Sequence, residues 1–510
     1  MNRYFLGFTL FFLFFQFGSY LFLEFSVDWD LDAFLYLGSR LVNHQELIFT
    51  KDFETKFPLV QYMFSLAYQL GGIGAWKICI FLLSFIGGLM ASSILVGTKK
   101  NLNISNALLQ KETWEYNLLY VVFLYSLPGG GTGHLEPPAA TFLFVAIALW
   151  YQNIEKNSCF SVTLAGIFLA IAALIRPNYV YLFPIFLGSY FFLKITRKDK
   201  FYHFLYFGLG LFVPIFLSFL PYLFVDNGLI ALLQGLLLII NFDIQPIGWK
   251  GLIFNGMFSF FELQFYFTIQ LVLSLILGLY AFGNSTLKIP NVKIYFWVIF
   301  LSMFLITYSF SKTHFYFHYV ILFLPFFLFT LYLIRDKLNE IKWYRTYAAY
   351  LMQAIVIFIL PSFVAGKIIY DKIDKKITFN AAINSHGVDP KLLQFLKGQK
   401  ANGLSFLVID DAKYHYLLDE SRIGDGHPYI LNEIMMGKKL RPVGDSYLLK
   451  KIQNNTSCEV LKQSSKDLYI LSKDHHYFQQ VPSCFSDSNR FKKIEVSSLE
   501  KYLIWERVNY

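Results

Sequence analysis

The sequence predicts a polytopic all-α membrane protein that carries a small soluble α/β domain at its C-terminus. Of its 510 residues, 56% are hydrophobic and only 15% are charged, whereas soluble globular domains carry roughly a quarter charged residues. Apolar runs of about 17 to 25 residues follow one another, and that length crosses roughly 30 Å of hydrocarbon. Lys and Arg collect in the short segments between these runs, as they do in loops that stay in the cytoplasm.

We expect about eleven transmembrane helices within residues 1–366, with the N-terminus in the cytoplasm. Every basic cluster then falls on the cytoplasmic side, and the acidic or Gly-Pro-rich loops fall on the other side. The N-terminal apolar run lacks a small-residue cleavage site, so we interpret it as an uncleaved span. First and last residues can be assigned to six of these helices, which lie at about 4–25, 74–97, 116–128, 138–153, 203–223 and 346–365.

Residues 367–510 are expected to form the soluble domain on the extracytoplasmic side. The composition becomes charged and polar after Lys367. Short β-type runs occur at 404–409 and 468–471, and amphipathic helix candidates occur at 390–397 and 429–436. Such a mixture of short strands and helices is typical of a small α/β domain.

Motif patterns exclude several classes of protein, and the cysteine pattern leaves one possible disulfide open. The net charge of +10 marks membrane topology rather than nucleic-acid binding, because no basic-aromatic nucleic-acid motif accompanies it. There is no Walker or Rossmann glycine motif and no zinc-type Cys/His spacing. Cys79 and Cys159 lie in or beside spans, where an apolar structural role is expected. Cys458 and Cys484 lie in the soluble domain, where an oxidising compartment would permit a disulfide, and the sequence leaves that pairing open.

The first external loop, residues 26–73, carries the most informative charges. Asp28 and Asp30 flank Trp29 directly after the first apolar run, where acids cost free energy unless they have a function. In an extended loop, Asp28, Asp30 and Asp32 would be aimed to one side, an arrangement that suits a general base or a divalent cation such as Mg²⁺ or Mn²⁺. A helix cap or a solvated turn is the alternative interpretation of the same acids.

Cations and polar side chains recur at the other external ends of the spans. Lys56 precedes Pro58, which begins a short apolar run that we interpret as an interfacial helix ended by the Gly pair at 71–72. Its ammonium would lie at the level of a lipid phosphate, although simple snorkelling is the alternative. His134 and Glu136 lie in a Gly-rich loop that a ligand could approach closely, or that could be a flexible turn.

The last group of candidates combines one arginine with polar residues from a segment much further along the chain. Arg176 precedes Pro177, and a later external end carries Lys312, His314, His318 and Tyr319. Cations at such positions could neutralise a phosphate leaving group, with snorkelling again the alternative.

These elements together match the motif pattern of one known family. They are Asp28 with Asp30, then Tyr36, Gly38 and Asp52, Lys56-Phe57-Pro58-Leu59, Gly133-His134-Leu135-Glu136, Arg176-Pro177, and His314-Phe315-Tyr316 with His318-Tyr319 ahead of Pro325. The arrangement resembles the integral-membrane glycosyltransferases of the GT-C class, in particular the bacterial branch related to protein O-mannosyltransferases and aminoarabinose transferases. The matches cover roughly residues 1–335. The chain departs from the pattern at Phe57, where many members have a second Pro, and its soluble tail resembles no family.

The resemblance implies sugar transfer, with inversion, from a polyprenyl-phosphate donor to a lipid, glycan or protein acceptor at the outer face of a bacterial inner membrane. It implies a base or metal ligand at Asp30 or Asp28. Donor phosphate would be held by Lys56, Arg176, Lys312 and His314, and acceptor or sugar by His134, Glu136 and Tyr319. A transporter or flippase for lipid-linked sugars and an assembly component for envelope glycans are the alternatives. Neither would require Asp28 and Asp30.

Overall fold

A computed structural model describes residues 29–50, 56–98, 106–126, 134–156, 158–193, 196–241, 291–310, 317–338, 388–409, 412–420, 466–473, 485–487 and 490–508. These residues are mostly helical, and they include a small four-stranded sheet near the C-terminus. The sequence prediction of a largely helical chain with a C-terminal α/β segment is confirmed at this level. The predicted spans at about 4–25 and 346–365, and the predicted domain boundary at 366–367, lie outside the described residues.

The helices and strands have the following bounds. The helices are α1 (Trp29–His44), α2 (Pro58–Leu70), α3 (Ile73–Gly97), α4 (Asn106–Ser126), α5 (Glu136–Lys156), α6 (Cys159–Ile175), α7 (Phe183–Ser189), α8 (Arg197–Phe219), α9 (Gly228–Asn241), α10 (Val292–Phe310), α11 (Leu324–Leu338), α12 (Pro390–Ala401) and α13 (Ala412–Leu417). The strands are β1 (Phe406–Val408), β2 (Leu468–Ser472), β3 (Phe491–Ile494) and β4 (Tyr502–Arg507). Short 3-10 helices occupy Pro177–Leu182, Tyr190–Phe192, Leu220–Phe224, Phe317–Phe323 and Ser497–Leu499.

The chain divides into two compact units. The first unit comprises Met1–Glu24, Lys77–Ser218 and Pro246–Ile377. The second unit comprises Phe25–Trp76, Phe219–Gln245 and Thr378–Tyr510. The segment Phe25–Trp76, which contains most of the predicted first external loop, and the C-terminal segment Thr378–Tyr510 therefore belong to the same unit, although about three hundred residues separate them in sequence.

Two helices of the described chain are long and apolar enough to cross a membrane. They are Ile73–Gly97, of 25 residues, and the continuous helical stretch Arg197–Phe224, of 28 residues. Shorter apolar helices occupy Cys159–Ile175, Lys293–Ile306 and Ile321–Leu333. Many large apolar side chains on the 197–224 stretch are exposed, as expected where hydrocarbon rather than water surrounds a helix. The predicted spans at about 74–97 and 203–223 are thus helices of membrane-spanning length and composition.

Small residues allow close helix packing in the first unit. A Cβ added at Gly166 of α6 would overlap the Phe207 carbonyl oxygen of α8, and a Cβ at Gly210 of α8 would overlap the Thr163 carbonyl oxygen of α6. Backbones can approach this closely only where side chains are absent, and glycine-lined crossings are typical of helix pairs in membranes.

Helix α2 in the second unit begins and ends where its sequence indicates. Pro58 occupies its first turn, where the missing N–H costs nothing. The helix ends at Gly71 and Gly72, whose φ angles of 122° and 76° favour glycine. The helix predicted over this run is confirmed.

Helix α2 is joined to α1 through a buried amide. Gln61 donates from Nε2 to the carbonyl oxygens of Leu37 (3.1 Å) and Glu46 (2.8 Å). Its Oε1 accepts from the Ile48 N–H at 2.8 Å. Gln61 is 1% exposed, so these bonds satisfy backbone groups that water does not reach.

The C-terminal sheet has the order β1-β2-β4-β3. Strands β1 and β2 are parallel, with Phe406 opposite Leu468, and the remaining pairs are antiparallel. Alternating residues bury both faces: Tyr469 and Trp505 lie in one apolar cluster, and Ile470 lies in the other with residues of α12. The two predicted strands and the predicted helix at 390–397 are confirmed, whereas the helix candidate at 429–436 and Cys458 with Cys484 lie outside the described residues.

Candidate functional site

Glu136 lies at the first position of α5. Two prolines follow it in the first helical turn, where their missing N–H groups need no partner. A carboxylate at this end interacts favourably with the helix dipole. Glu136 is nevertheless 0% exposed, and an isolated buried carboxylate would cost several kcal/mol or more. A counter-charge must therefore accompany it.

That counter-charge is Arg176, at the opposite end of the neighbouring helix. The proline at position 177 disfavours the helical conformation for the residue before it, so α6 ends and Arg176 is extended, with φ −127° and ψ 102°. Helices α5 and α6 pack along each other and are joined by a short link between Lys156 and Cys159. The beginning of α5 and the end of α6 consequently meet at one end of this helix pair.

The guanidinium of Arg176 forms an ion pair with the carboxylate of Glu136. The Arg176 side chain is 7% exposed and the Glu136 side chain is fully buried. The Arg176 guanidinium carbon also lies 5.4 Å from the ring centroid of Tyr319, a cation–π contact. Three residues that the sequence singled out, from segments far apart in the chain, thus form one cluster.

A second contact fixes the segment that carries Tyr319. The hydroxyl of Tyr179 donates to the Leu322 carbonyl oxygen at 2.9 Å. Tyr179 is fully buried, and its own N–H bonds the Arg176 carbonyl oxygen at 3.0 Å. The 3-10 helix after Arg176 is therefore tied to the 3-10 helix that contains Tyr319, which holds the cation–π pair in place.

Buried hydroxyls behind Glu136 were not anticipated from the sequence. Thr141, one turn into α5, donates to the Pro137 carbonyl oxygen at 2.7 Å. Its oxygen lies 2.6 Å from the hydroxyl of Tyr120, which therefore acts as the donor of that pair. Single Tyr and Thr residues within apolar runs carry no motif. Only their spacing from the two prolines could have indicated a role.

Lys77 was also missed, although a signal was present. It is 0% exposed within the apolar helix α3. An ionisable residue inside a membrane-spanning segment is a functional candidate by default, and Lys77 lies near the start of a helix of membrane-spanning length and composition.

The structure also describes two other candidates that the sequence singled out, His134 and Lys56. His134 is half-buried and directly precedes α5, two positions before Glu136. Lys56 belongs to the second unit, where its ammonium lies 5.6 Å from the ring centroid of Phe34. Asp28, Lys312, His314 and the side chain of Asp30 lie outside the described part of the chain, so their roles stay predictions.

The extended conformation expected for the loop that carries these acids is wrong over residues 29–32, because α1 begins at Trp29. Leu31, Phe34 and Leu35 repeat at helical spacing and are buried, so burial of this face outweighs the turn tendency of the acids. Positions 30 and 32 do not share a face of a helix. The expected alignment of positions 30 and 32 on one side of an extended loop is therefore wrong, while Asp28 lies outside the described residues.

No group of three or more His, Cys, Asp or Glu side chains in the described part of the chain is arranged to hold a metal ion. The sequence matches no protein-family model and no curated protein. The family resemblance accordingly depends on the motif residues themselves, of which Glu136, Arg176 and Tyr319 are now placed together.

Proposed function

We propose that the protein is an integral-membrane glycosyltransferase of the GT-C type, which transfers a sugar from a polyprenyl-phosphate donor to an extracytoplasmic acceptor with inversion. The observation that carries this proposal is the buried Glu136–Arg176 ion pair with Tyr319 at its side. Ionisable groups inside an apolar helical unit are expensive and are retained mainly for function. An arginine is the residue best suited to a phosphate in such a setting.

Arg176 would hold the donor phosphate. A guanidinium presents a planar fork of N–H donors that matches phosphate oxygens. The carboxylate of Glu136 and the ring of Tyr319 fix the plane and position of that fork before the donor binds. An oriented cation of this kind stabilises charge that develops in the transition state. Lys56, Lys312 and His314 are the proposed additional cations, and His134 is a proposed sugar contact.

The reaction is a single in-line displacement. Asp30, or Asp28, accepts the proton of the acceptor nucleophile, and the nucleophile forms a bond to the anomeric carbon. The bond between that carbon and the phosphate oxygen breaks, and polyprenyl phosphate leaves with the electron pair. Attack from the face opposite the phosphate inverts the anomeric centre. Carboxylates at positions 28 and 30 would also suit Mg²⁺ or Mn²⁺, so a divalent cation remains part of the proposal.

A lipid-borne donor is consistent with the rest of the chain. The sequence has no nucleotide-binding glycine motif, and nucleotide sugars remain in the cytoplasm. The proposed orientation, with about eleven crossings, places residues 26–73 and 367–510 outside a bacterial inner membrane. A transporter would be expected to carry internal repeats and midplane charges. The ion pair here joins the ends of α5 and α6, and no repeat is evident in the sequence.

Transfer assays in membranes test the proposal. Membranes that contain wild type, Asp30→Asn, Arg176→Lys or Glu155→Gln are incubated with radiolabelled polyprenyl-phosphate sugars and a lipid extract. Glu155 is an exposed acid at the other end of α5 and serves as the matched control. We expect wild type and Glu155→Gln to transfer sugar. Arg176→Lys keeps the charge but loses the fork, so we expect about a tenfold or greater loss. Equal transfer by all four proteins would refute the assigned site.

A further inference from the structure

The short helix α13 of the C-terminal domain packs against α1 of the first external loop, within the second unit. The hydroxyl of Tyr416 donates to Asp32 Oδ1 at 3.1 Å. Next to it, the rings of Tyr36 and His415 meet edge to face, with centroids 6.3 Å apart. Tyr416 is 7% exposed, so this polar contact is made inside the interface between the two segments.

A second attachment lies at the other end of α1. Asp419 Oδ1 accepts from Asn43 Nδ2 at 3.1 Å and lies 2.9 Å from His44 Nε2. Partial burial would raise the pKa of Asp419, but hydrogen bonds from His44 and Asn43, with the charges of His44 and Arg40, hold it below its ordinary value. Positions 32 and 43 are about 16 Å apart along a helix. Two attachments so far apart fix both the position of α1 and its rotation.

The segment 412–420 is itself attached firmly to the sheet. The backbone N–H of Val408 in β1 donates to His415 Nε2 at 3.1 Å. Lys466, just before β2, pairs with Glu420 at 2.6 Å. Lys400 at the end of α12 donates to the Asp419 carbonyl oxygen at 2.9 Å. The C-terminal domain can therefore act as a rigid support for α1 rather than as a loosely tethered neighbour.

We propose that the C-terminal domain positions the first-loop helix for sugar transfer, with Tyr416 and Asp419 as the positioning residues. This inference rests on the proposed function, because α1 begins directly after Asp28 and carries Asp30. A catalytic base that is displaced by about 1 Å can cost roughly a hundredfold in rate. Loss of a hydrogen bond to a charged group is enough to change the population of the aligned state about tenfold or more.

The first experiment separates positioning from donor binding. In the full-length protein, Tyr416→Phe removes the bond to Asp32 and keeps the ring. Tyr502→Phe on β4 makes the same change elsewhere in the domain and is the matched control. We expect Tyr416→Phe to lower kcat about tenfold with a change of less than about twofold in KM for the donor, and Tyr502→Phe to match wild type. Unchanged kcat in Tyr416→Phe would overturn the positioning role.

The second experiment restores the attachment by other means. His44→Cys and Asp419→Cys are combined in a chain whose four native cysteines are Ser, and a short, reducible bis-methanethiosulfonate joins the new thiols. We expect the reagent to form an intramolecular cross-link. The kcat should be about tenfold below that of wild type when the cross-link is reduced, and it should recover when the cross-link is intact. Failure to cross-link refutes the contact whether or not sugar is transferred. A cross-link without recovery of kcat refutes positioning and leaves the proposed function standing. A wild type that transfers no sugar refutes the proposed function, while the cross-link still reports the contact.

Discussion

Glu136→Gln is the substitution that tests the buried ion pair most strictly. The side chain of Glu136 is fully buried and that of Arg176 is 7% exposed. Gln has nearly the same shape and keeps a hydrogen-bond acceptor, so the change removes the charge of the carboxylate and little else. The Arg176 guanidinium then remains in the interior without the carboxylate that neutralised it.

The cost follows from that burial. Removal of one partner of a buried ion pair costs about 3–5 kcal/mol, because the other charge stays out of water. Because Gln keeps the shape of the side chain and a polar oxygen beside the guanidinium, we expect Glu136→Gln near the lower end, at about 3 kcal/mol. Glu155→Gln is the matched control: Glu155 is exposed, and Gln can still accept the hydrogen bond that Tyr295 donates. We expect that control to cost less than about 1 kcal/mol.

The free energy of unfolding in mixed micelles, titrated with a denaturing detergent, measures both values. The double variant Glu136→Gln/Arg176→Gln removes both charges, so we expect it to be more stable than the sum of the single effects predicts, by about 2 kcal/mol. If Glu136→Gln costs no more than Glu155→Gln, or if the two single effects simply add, the buried pair does not exist as described.

Three further predictions concern packing, buried hydrogen bonds and pH. Gly210→Ala should cost about 1–3 kcal/mol in the same titration, since its Cβ would overlap backbone of α6, whereas Gly208→Ala, with open space around it, should be nearly neutral. Gln61→Leu removes the side-chain partner of the buried Ile48 N–H and of the Leu37 and Glu46 carbonyl oxygens and should cost about 2 kcal/mol or more, while Gln69→Leu at an exposed site of α2 should change little. The lowered pKa of Asp419 stabilises the fold above the unfolded value of about 3.9, and this contribution is lost as pH falls through the folded pKa. The stability difference between wild type and Asp419→Asn should therefore vanish in acid, and a difference that persists there would contradict the ionised contact.

Much of the fold could be predicted because local signals and tertiary packing agree. Pro58 and the glycines at 71 and 72 define α2 from both ends. The apolar length of α3 identifies it without any long-range contact. The strand at 468–472 is apolar on both faces, and the structure covers both faces as such a pattern requires.

The beginning of α1 could not be predicted in this way. The acids at 28, 30 and 32 favour a turn locally, and the helix forms because Leu31, Phe34 and Leu35 find a buried surface. Helix α13 also packs against α1, and its Tyr416, which bonds Asp32, is remote in sequence. No pattern within the first loop indicates such a partner.

The candidate site was predictable in its chemistry but only partly in its geometry. The sequence predicts Arg176 and Tyr319 as external polar residues, and the structure places the guanidinium over the ring. The sequence places Glu136 in a separate loop with His134, and its pairing with Arg176 depends on how α5 and α6 pack. Helix packing of that kind is not encoded in the spacing of the two residues.

The most direct test of the account asks whether the protein breaks the bond between sugar and phosphate or only moves the lipid. Purified wild type in liposomes is supplied with a radiolabelled polyprenyl-phosphate sugar and a lipid acceptor extract, and free polyprenyl phosphate and labelled product are measured together. We expect both to appear in equal amounts and Arg176→Gln to abolish both. Labelled donor that crosses the bilayer intact, with no polyprenyl phosphate released, would contradict sugar transfer and identify a transporter instead.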